Sequence, residues 1–500
     1  LKASFVSWHE NNQQFFVATN ERDAKYFDVY LYQVADYSRE LVYQNDSGYS
    51  PEAISPNGQF IVLSKTNTNA DSNLYLVDLK NKQRLAQLIT AHNGDVEHSA
   101  YTFTRDSSAL IYSTDEFGEF KQAWSFDLKS QEKSLNFAVD WDVRFSYFSK
   151  NGRYQVNGIN ADAQTKIEIL DLQDAKTLAL PDMPSGDLRG VNFSNDGKHM
   201  VFYINSDTSP SNLYVHQLGS QKVTRLTDTG NPNILEENLV VGEVVRFTSF
   251  DGLDIPGILY KPKQAATKKV PALVWIHGGP GGQSRKGYSA LIQHLVNNGY
   301  AIFRINNRGS NGYGKTFFHL DDKKHGDHDL KDVVYNKYYL QSLNWVDADR
   351  IGVIGGSYGG YLTMAAMAFT NEFEVGINIF GVTNWVRTLE SIPPYWESFR
   401  KALYDEIGDP YTEDSVRLRA ISPLFHADQI KNPIMVLQGA NDPRVLQVES
   451  DEIVAAARLN GATVEYVLFE DEGHGFRKKA NQIESWQEIR TFLDKYLKEI

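Results

Sequence analysis

One short phrase returns five times in the first half of the 500-residue chain, at a nearly constant interval. It runs from an aromatic or aliphatic residue, through two further positions, to Asn or Asp, a turn-forming residue and a β-rich stretch. Its first positions, which lie 46, 49, 45 and 45 residues apart, are Trp8, Ile54, Phe103, Phe148 and Phe193. Periods of this length built only from strands are typical of propeller blades. We therefore expect an all-β propeller over residues 1–230, with about five blades visible and a β-sandwich as the alternative.

From residue 231 onward, short apolar strands alternate with helix-length segments. After a strand pair within 244–260, further strands are predicted at 272–276, 301–305, 351–354, 434–437 and 465–469. Helices are predicted at 330–345, 360–369, 447–459 and 483–497. This alternation indicates a second domain over 231–500, built on a doubly wound, mostly parallel sheet. In such a sheet, functional residues lie at the carboxyl ends of the strands.

Composition and charge exclude several classes of partner and site. The net charge is −13 and no run of Lys and Arg stands out, so nucleic acid is not expected as a partner. The absence of cysteine excludes disulfides, thiolate nucleophiles and cysteine-ligated metals, and we expect neither a metal nor another cofactor. Apolar stretches such as 271–276 are far shorter than the roughly 20 residues that span a bilayer. Because the chain opens at Leu1, we expect the natural protein to start earlier, and its compartment (cytoplasmic, periplasmic or secreted) stays open.

The candidate nucleophile is Ser357, in the sequence Gly-Gly-Ser-Tyr-Gly-Gly at 355–360. A buried strand precedes this sequence and a helical pattern follows it. Glycines are needed on both sides of a nucleophile elbow because the turn is strained and neighbouring backbones crowd it, which leaves the serine hydroxyl exposed. The strand, turn and helix together predict an α/β-hydrolase, and a glycine-rich connection without catalytic role is the alternative.

A serine hydroxyl needs a base to become a nucleophile, and two histidines follow it in the chain. His474 lies between glycines just after a β-rich strand, where a loop has the freedom to reach the serine. His426 lies in a polar, helix-like stretch that follows no buried strand, which favours a surface or packing role. We therefore predict that His474 is the base.

The third member of the triad should fall between serine and histidine in this fold. Asp442 follows the strand at 434–437 directly and satisfies that order. Glu470, Asp471 and Glu472 are closer to His474 in sequence, but side chains on the same loop seldom point at the ring from behind. Asp442 is therefore the predicted acid, with a solvated turn aspartate as the alternative.

The tetrahedral intermediate of acyl transfer needs hydrogen-bond donors aimed at its oxyanion. The loop His277-Gly278-Gly279-Pro280 leaves an early strand where such a donor is expected. We predict the backbone amides of Gly279 and Tyr358 as the pair, and expect His277 to hold the loop. A phosphate-binding role is disfavoured because the Walker lysine and serine are absent.

Six motifs of the second half, taken together, resemble the prolyl oligopeptidase family of serine peptidases, within it the acylaminoacyl-peptidase and dipeptidyl-peptidase-like branch. The motifs lie at 277–280, 307–310 with 312–314, 326–332, 355–360, 442–445 and 472–476. The resemblance implies a hydrolase domain capped by a propeller whose chamber admits oligopeptides and excludes folded proteins. It also implies a possible homo-oligomer, because strand edges of family propellers often pair between subunits.

The resemblance leaves the specificity open. Dipeptidyl peptidases of the family hold the substrate's free amine with acidic residues, and no motif here assigns such a pair. Where some members offer a tyrosine hydroxyl to the oxyanion, the matching position is His277, which places the chain nearer the acylaminoacyl-peptidase-like members. An esterase of the same fold is the first alternative, and a propeller binding module with an inactive hydrolase is the second.

Overall fold

A computed structural model describes residues 2–392 and 396–498, and its first half contains five antiparallel sheets of four strands each. The first two sheets comprise β1 to β8, at Ala3–Trp8, Gln14–Asp23, Tyr26–Gln33, Arg39–Tyr43, Ser50–Ile54, Phe60–Thr68, Asp71–Asp78 and Gln87–Leu88. The third comprises β9 to β12, at His98–Phe103, Ala109–Thr114, Gln122–Asp127 and Lys133–Phe137. The last two comprise β13 to β20, at Asp142–Phe148, Tyr154–Ala161, Gln164–Asp171, Lys176–Thr177, Asp187–Phe193, His199–Asn205, Asn212–Gln217 and Val223–Arg225.

The repeated phrase forms the hairpin turn between the first and second strands of each sheet. Its fifth position has a positive φ in every copy, and these residues are Asn12 (55°), Gly58 (67°), Ser107 (59°), Gly152 (73°) and Gly197 (67°). Glycine, and to a lesser degree asparagine, adopts this left-handed conformation at low cost, which explains the turn-forming residue of the phrase.

Neighbouring sheets pack face to face in chain order. Phe16 and Val29 of the first sheet share a core with Ile61 of the second, and Val62 of the second packs with Leu110 of the third. A small core joins the third sheet to the fourth, and a larger one joins the fourth to the fifth. Successive sheets stacked in this way form a β-propeller, which confirms the predicted architecture over the sandwich alternative.

The second half is built on one eight-stranded sheet. Its strands β21 to β28 are Glu243–Thr248, Asp254–Tyr260, Val270–Ile276, Ala301–Ile305, Val346–Gly356, Gly376–Ile379, Ile434–Gly439 and Val464–Phe469. Their order in the sheet is β21-β22-β24-β23-β25-β26-β27-β28, and β21 and β22 pair antiparallel while the other six strands are parallel to one another. This is the predicted mostly parallel sheet of an α/β-hydrolase. The proposed division between residues 230 and 231 falls in the connection before it and remains a prediction.

Several of the helices pack on this sheet. Helices α1 to α9 are Ala290–Asn297, Lys315–Phe318, His328–Ser342, Tyr358–Phe369, Trp385–Glu390, Glu397–Glu406, Asp414–Ala420, Gln447–Leu459 and Lys479–Leu493. Helices α3, α4, α8 and α9 are among those that pack on the sheet. Two predicted helices differ by three or more residues at an end. Helix α3 ends three residues early because Leu343 turns to extended backbone on the way to β25. Helix α9 begins four residues early, and residues 494–498 continue it as a π-helical turn. Across the described residues, no helix combines the length and apolarity needed to cross a membrane.

Candidate active site

Ser357 lies at the sharp turn from β25 into α4, with φ 58° and ψ −119°. A positive φ is strained for serine and is found where the surrounding structure enforces it. The backbones around the turn leave no room for side chains, because a Cβ on Gly355 would lie 2.4 Å from the carbonyl oxygen of Gly359. A Cβ on Gly359 would lie 2.3 Å from the carbonyl oxygen of Ile276 on the neighbouring strand β23. The glycines therefore allow the turn to press against the sheet and present the serine hydroxyl.

Three side chains from three separate loops meet at this turn. His474 Nε2 lies 3.1 Å from Ser357 Oγ, and His474 Nδ1 lies 2.6 Å from Asp442 Oδ2. Asp442 is buried, and its other oxygen accepts hydrogen bonds from the backbone amides of Arg444 and Val445. The structure thus brings together all three residues that the sequence predicts for the triad, in one hydrogen-bonded line.

The competing carboxylates near His474 are engaged elsewhere. Glu472 is buried and accepts the backbone amides of Arg477 and Lys478. Burial alone would raise its pKa, but those amides outweigh burial and hold the pKa below its usual range. Asp471 pairs with the ammonium of Lys478 at the surface. Glu472 therefore shapes the loop that carries His474 rather than contacting the ring.

His426 lies apart from this group. It belongs to a kinked 3₁₀ segment at Pro423–Gln429, and its ring packs edge-on against Phe369 with centroids 5.1 Å apart. This is a packing role, in line with the sequence interpretation.

Both predicted oxyanion donors line the cavity that holds Ser357. Gly279 and Tyr358 contribute to its wall. As the first residue of α4, Tyr358 has no carbonyl one turn earlier to accept its backbone N–H, so that donor is available. The Tyr358 hydroxyl donates to Asp329 Oδ2, and Asp329 in turn accepts the amides of Gly326 and Leu330. Asp329 is wholly buried, and its hydrogen bond fixes the side chain of Tyr358, whose backbone amide faces the site. The sequence analysis did not predict this role for Asp329.

The loop at 277–282 is fixed by its own polar contacts. His277 Nε2 lies 2.8 Å from Ser310 Oγ, and its Nδ1 lies 2.8 Å from the carbonyl oxygen of Gly278. Ser310 Oγ also donates to the carbonyl of Asn307. Both ring nitrogens of His277 are therefore occupied within the loop and its neighbour.

A buried arginine supports that neighbouring loop. The guanidinium of Arg308, only 2% exposed, contacts both oxygens of Asp332 at 2.9 Å. It also forms two hydrogen bonds with Asp251, at 2.9 and 3.1 Å. These pairs connect the segment after β24 to helix α3 and to the β21–β22 turn.

The cavity at Ser357 encloses about 420 Å³ and is mostly apolar on the side away from the triad. Its apolar wall comprises Val382, Trp385, Leu389, Ile392, Leu403 and Ile407. A second cavity of about 600 Å³ shares Gly279 and Pro280 with it and reaches the propeller. A third, of about 420 Å³, shares Gly281 and Asn311 with the second. The three cavities are therefore contiguous along one glycine-rich loop.

Across residues 2–392 and 396–498, no cluster of three or more His, Asp or Glu side chains has the arrangement of a metal site.

Comparison with known proteins places this geometry in a family. Residues 1–229 match the model of the prolyl oligopeptidase N-terminal β-propeller domain, and residues 286–499 match the model of the prolyl oligopeptidase family. The chain is 30% identical over 501 residues to dipeptidyl aminopeptidase BIII of Pseudoxanthomonas mexicana, covering 93% of this chain and 69% of the relative. It is 34% identical over 338 residues to dipeptidyl peptidase family member 6 of Caenorhabditis elegans, covering 63% of this chain.

The chain spans only 46% of the length of that nematode relative. Among solved structures, a puromycin hydrolase superposes with a TM-score of 0.85 at 17% identity, covering 99% of this chain and 78% of that one. At this identity the likeness establishes the fold alone. The two domain matches and the 30% identity to the bacterial relative show that the chain belongs to the prolyl oligopeptidase family.

Proposed function

We propose that the protein is a serine peptidase that cleaves short peptides through an acyl-enzyme on Ser357. Residues 231–500 supply the chemistry and residues 1–230 form the cap. The observation that carries the proposal is the line of hydrogen bonds from Asp442 through His474 to Ser357, at the edge of an apolar cavity.

Each side chain takes a role that its contacts permit. His474 Nε2 accepts the proton of Ser357 Oγ as the oxygen attacks the scissile carbonyl, and then gives that proton to the leaving amine. Asp442 keeps the proton of the ring on Nδ1 and stabilises the imidazolium. The backbone amides of Gly279 and Tyr358 donate to the oxyanion of the intermediate. Water then repeats the sequence and releases the acyl group.

The walls of the neighbouring cavity favour a peptide with a free amine. Glu52 of β5 lines this cavity together with Gly279, and within the described residues no cation pairs with it. Its oxygen accepts the amide of Ala100, yet burial still raises its pKa. An ammonium group placed here would neutralise Glu52, whereas an acetylated terminus would not. Both relatives compared above carry dipeptidyl names, which agrees with this choice.

Three chromogenic substrates test the proposal: a free-amine dipeptidyl anilide, an N-acetyl amino-acid anilide and a short-chain p-nitrophenyl ester. We expect the highest kcat/KM on the free-amine anilide and a loss of about 10⁶-fold in kcat in Ser357→Ala. Turnover that survives Ser357→Ala within tenfold, or hydrolysis of the ester alone, would overturn the peptidase assignment.

A matched pair of variants tests the amine site. Glu52→Gln should raise KM for the free-amine anilide and leave the ester unchanged. Glu40→Gln, at an exposed position of β4, should change neither. Equal effects of Glu52→Gln on both substrates would contradict a role in binding the amine.

A further inference from the structure

The third cavity is lined by two arginines that carry like charges. Arg144 comes from β13 of the propeller, and Arg285 from the loop that follows the glycine-rich segment of the hydrolase half. Their side chains line the same space of about 420 Å³. Two like charges in one cavity repel each other unless an anion lies between them.

Arg285 is held only by neutral groups. Its Nη1 donates to Asn160 Oδ1 and, at 2.9 Å, to Gln283 Oε1, while Nη2 donates to Thr165 Oγ1 at 2.8 Å. Its Nε is buried without a hydrogen-bond partner in the described chain. Burial, followed by the charge of Arg144, lowers the pKa of Arg285 to about 10. The guanidinium is thus positioned by polar contacts but not neutralised by them.

Arg144 is exposed to the cavity, and within the described residues it has no hydrogen bond or ion pair. The two acidic residues that line this cavity, Glu97 and Asp142, interact with Lys121. Glu97 pairs with Lys121 at 2.5 Å, and Asp142 accepts the backbone amide of Lys121 at 2.9 Å. The lysine therefore has its own counter-ions, whereas Asp187, the acidic residue whose charge reaches Arg285, also pairs with Arg189 at 3.7 Å.

We propose that Arg144 and Arg285 bind a carboxylate of the peptide substrate. The inference rests on the proposed peptidase function and adds a second anchoring point to it. A guanidinium presents its N–H groups in a plane that matches the two oxygens of a carboxylate, and burial strengthens the pairing. The carboxylate can be the substrate's C-terminus or an Asp or Glu side chain, because the chemistry of the two is the same.

The cavities connect the nucleophile with the arginine pair. The cavity of Ser357 shares Gly279 and Pro280 with the second cavity, and the second cavity shares Gly281 and Asn311 with the cavity of the arginines. A peptide whose cleaved bond lies at Ser357 can therefore extend along the glycine-rich loop to the arginine pair.

Three pentapeptides of one sequence test the proposal: one with a free C-terminus and no acidic side chain, the same peptide amidated, and the amidated peptide with Glu near its end. We expect the first or the third to exceed the amidated peptide in kcat/KM by about ten- to hundredfold, mainly through KM. A preference for the first identifies the C-terminus as the source, and a preference for the third identifies the side chain. Equal rates for all three would overturn the proposal.

The decisive variant is Arg144→Gln, because Arg144 is exposed and its replacement spares the fold. In this variant, kcat/KM for the carboxylate-bearing peptide should exceed that for the amidated peptide by no more than about twofold. Arg144→Lys should retain part of the preference. Arg105→Gln, in the exposed turn of the neighbouring blade, is the matched control and should retain all of it. A preference that persists in Arg144→Gln would contradict the assignment.

Affinity measured without turnover separates this proposal from the peptidase function. The three peptides are titrated into Ser357→Ala, where the carboxylate should lower Kd by a similar factor. If the parent cleaves nothing but this difference in Kd holds, only the peptidase function fails. If the parent cleaves all three peptides equally and their three Kd values agree, only the arginine site fails.

Discussion

Asp442 divides its two carboxylate oxygens between the backbone and His474. Oδ1 accepts the amides of Arg444 at 2.8 Å and Val445 at 3.0 Å, while Oδ2 lies 2.6 Å from His474 Nδ1. The carboxylate is therefore fixed before substrate arrives, and it sets which ring nitrogen faces Ser357.

Replacement of Asp442 by Asn tests this relationship. Asn can keep the two backbone contacts through its oxygen, but its NH₂ group then faces Nδ1 and favours the wrong tautomer of His474. We expect kcat to fall by about 10⁴-fold, as when a triad aspartate is replaced elsewhere, with little change in KM. Rates on the free-amine anilide and thermal unfolding, which should stay near that of the parent, check the prediction. A loss below tenfold would show that Asp442 does not orient the base.

The apolar cavity beside Ser357 should set the residue preferred just before the cleaved bond. Trp385, Leu389 and Ile407 are buried in its wall, and no carboxylate is among the described residues that line the cavity. We expect substrates with Phe or Leu at this position to exceed those with Lys by about 10- to 200-fold in kcat/KM. A peptide library that varies only this residue measures the preference, and a preference for Lys would contradict it.

Arg308 should depend more on its buried partner, Asp332, than on its exposed partner, Asp251. Asp332 also accepts the hydroxyl of Ser249, and its side chain is wholly buried. Asp332→Ala leaves the guanidinium without its buried partner, which costs about 3 to 5 kcal/mol. Asp251→Ala removes the same charge at a position where the carboxylate is 40% exposed and should cost clearly less. Urea denaturation of both variants gives the comparison, and equal costs would mean that burial is not decisive.

His98 should make the protein sensitive to acid. Burial, followed by the neighbouring His92, lowers the pKa of His98 to about 3, against an ordinary value of 6.5. The unfolded chain therefore binds a proton between pH 6.5 and 3 that the folded chain excludes, so the contribution of His98 is intact above 6.5 and is lost as the pH falls. The equilibrium constant for unfolding should rise by up to about tenfold per pH unit in this window.

His98→Gln should flatten this acid limb, while His199→Gln, at an exposed position of the last blade, should leave it unchanged. Unfolding midpoints between pH 8 and 4 measure both. A variant whose profile is as steep as that of the parent would refute the role of His98.

Local patterns in the sequence were sufficient to predict the hairpin turns and to select Ser357, His474 and Asp442, which the structure brings together, because each feature is encoded within about six neighbouring residues. The glycines around Ser357 and His474 and the strand before Asp442 are examples. Helix ends were less accurate: Leu343 and Trp345 extend the apolar pattern of α3, yet they pack on the core as chain that leads into β25.

Contacts between distant parts of the chain could not be predicted. Asp329, in the first turn of α3, accepts a hydrogen bond from the hydroxyl of Tyr358, the first residue of α4. Nothing in the sequence near either residue indicates this pair. Arg144 and Arg285 line one cavity only because the propeller docks on the glycine-rich loop. Such contacts depend on how elements are placed in three dimensions, which a single sequence does not reveal.

The glycine-rich loop at 277–282 borders all three cavities, but the residues opposite it come from different halves of the chain. Under the proposed function, bond cleavage is encoded after residue 276, whereas much of the surface that would contact a peptide's two ends is encoded in the second to fourth blades. Substitutions in the blades should therefore change which peptides are accepted while the proposed catalytic residues stay the same. Closely related chains should accordingly differ more in the peptides they accept than in how they cleave them.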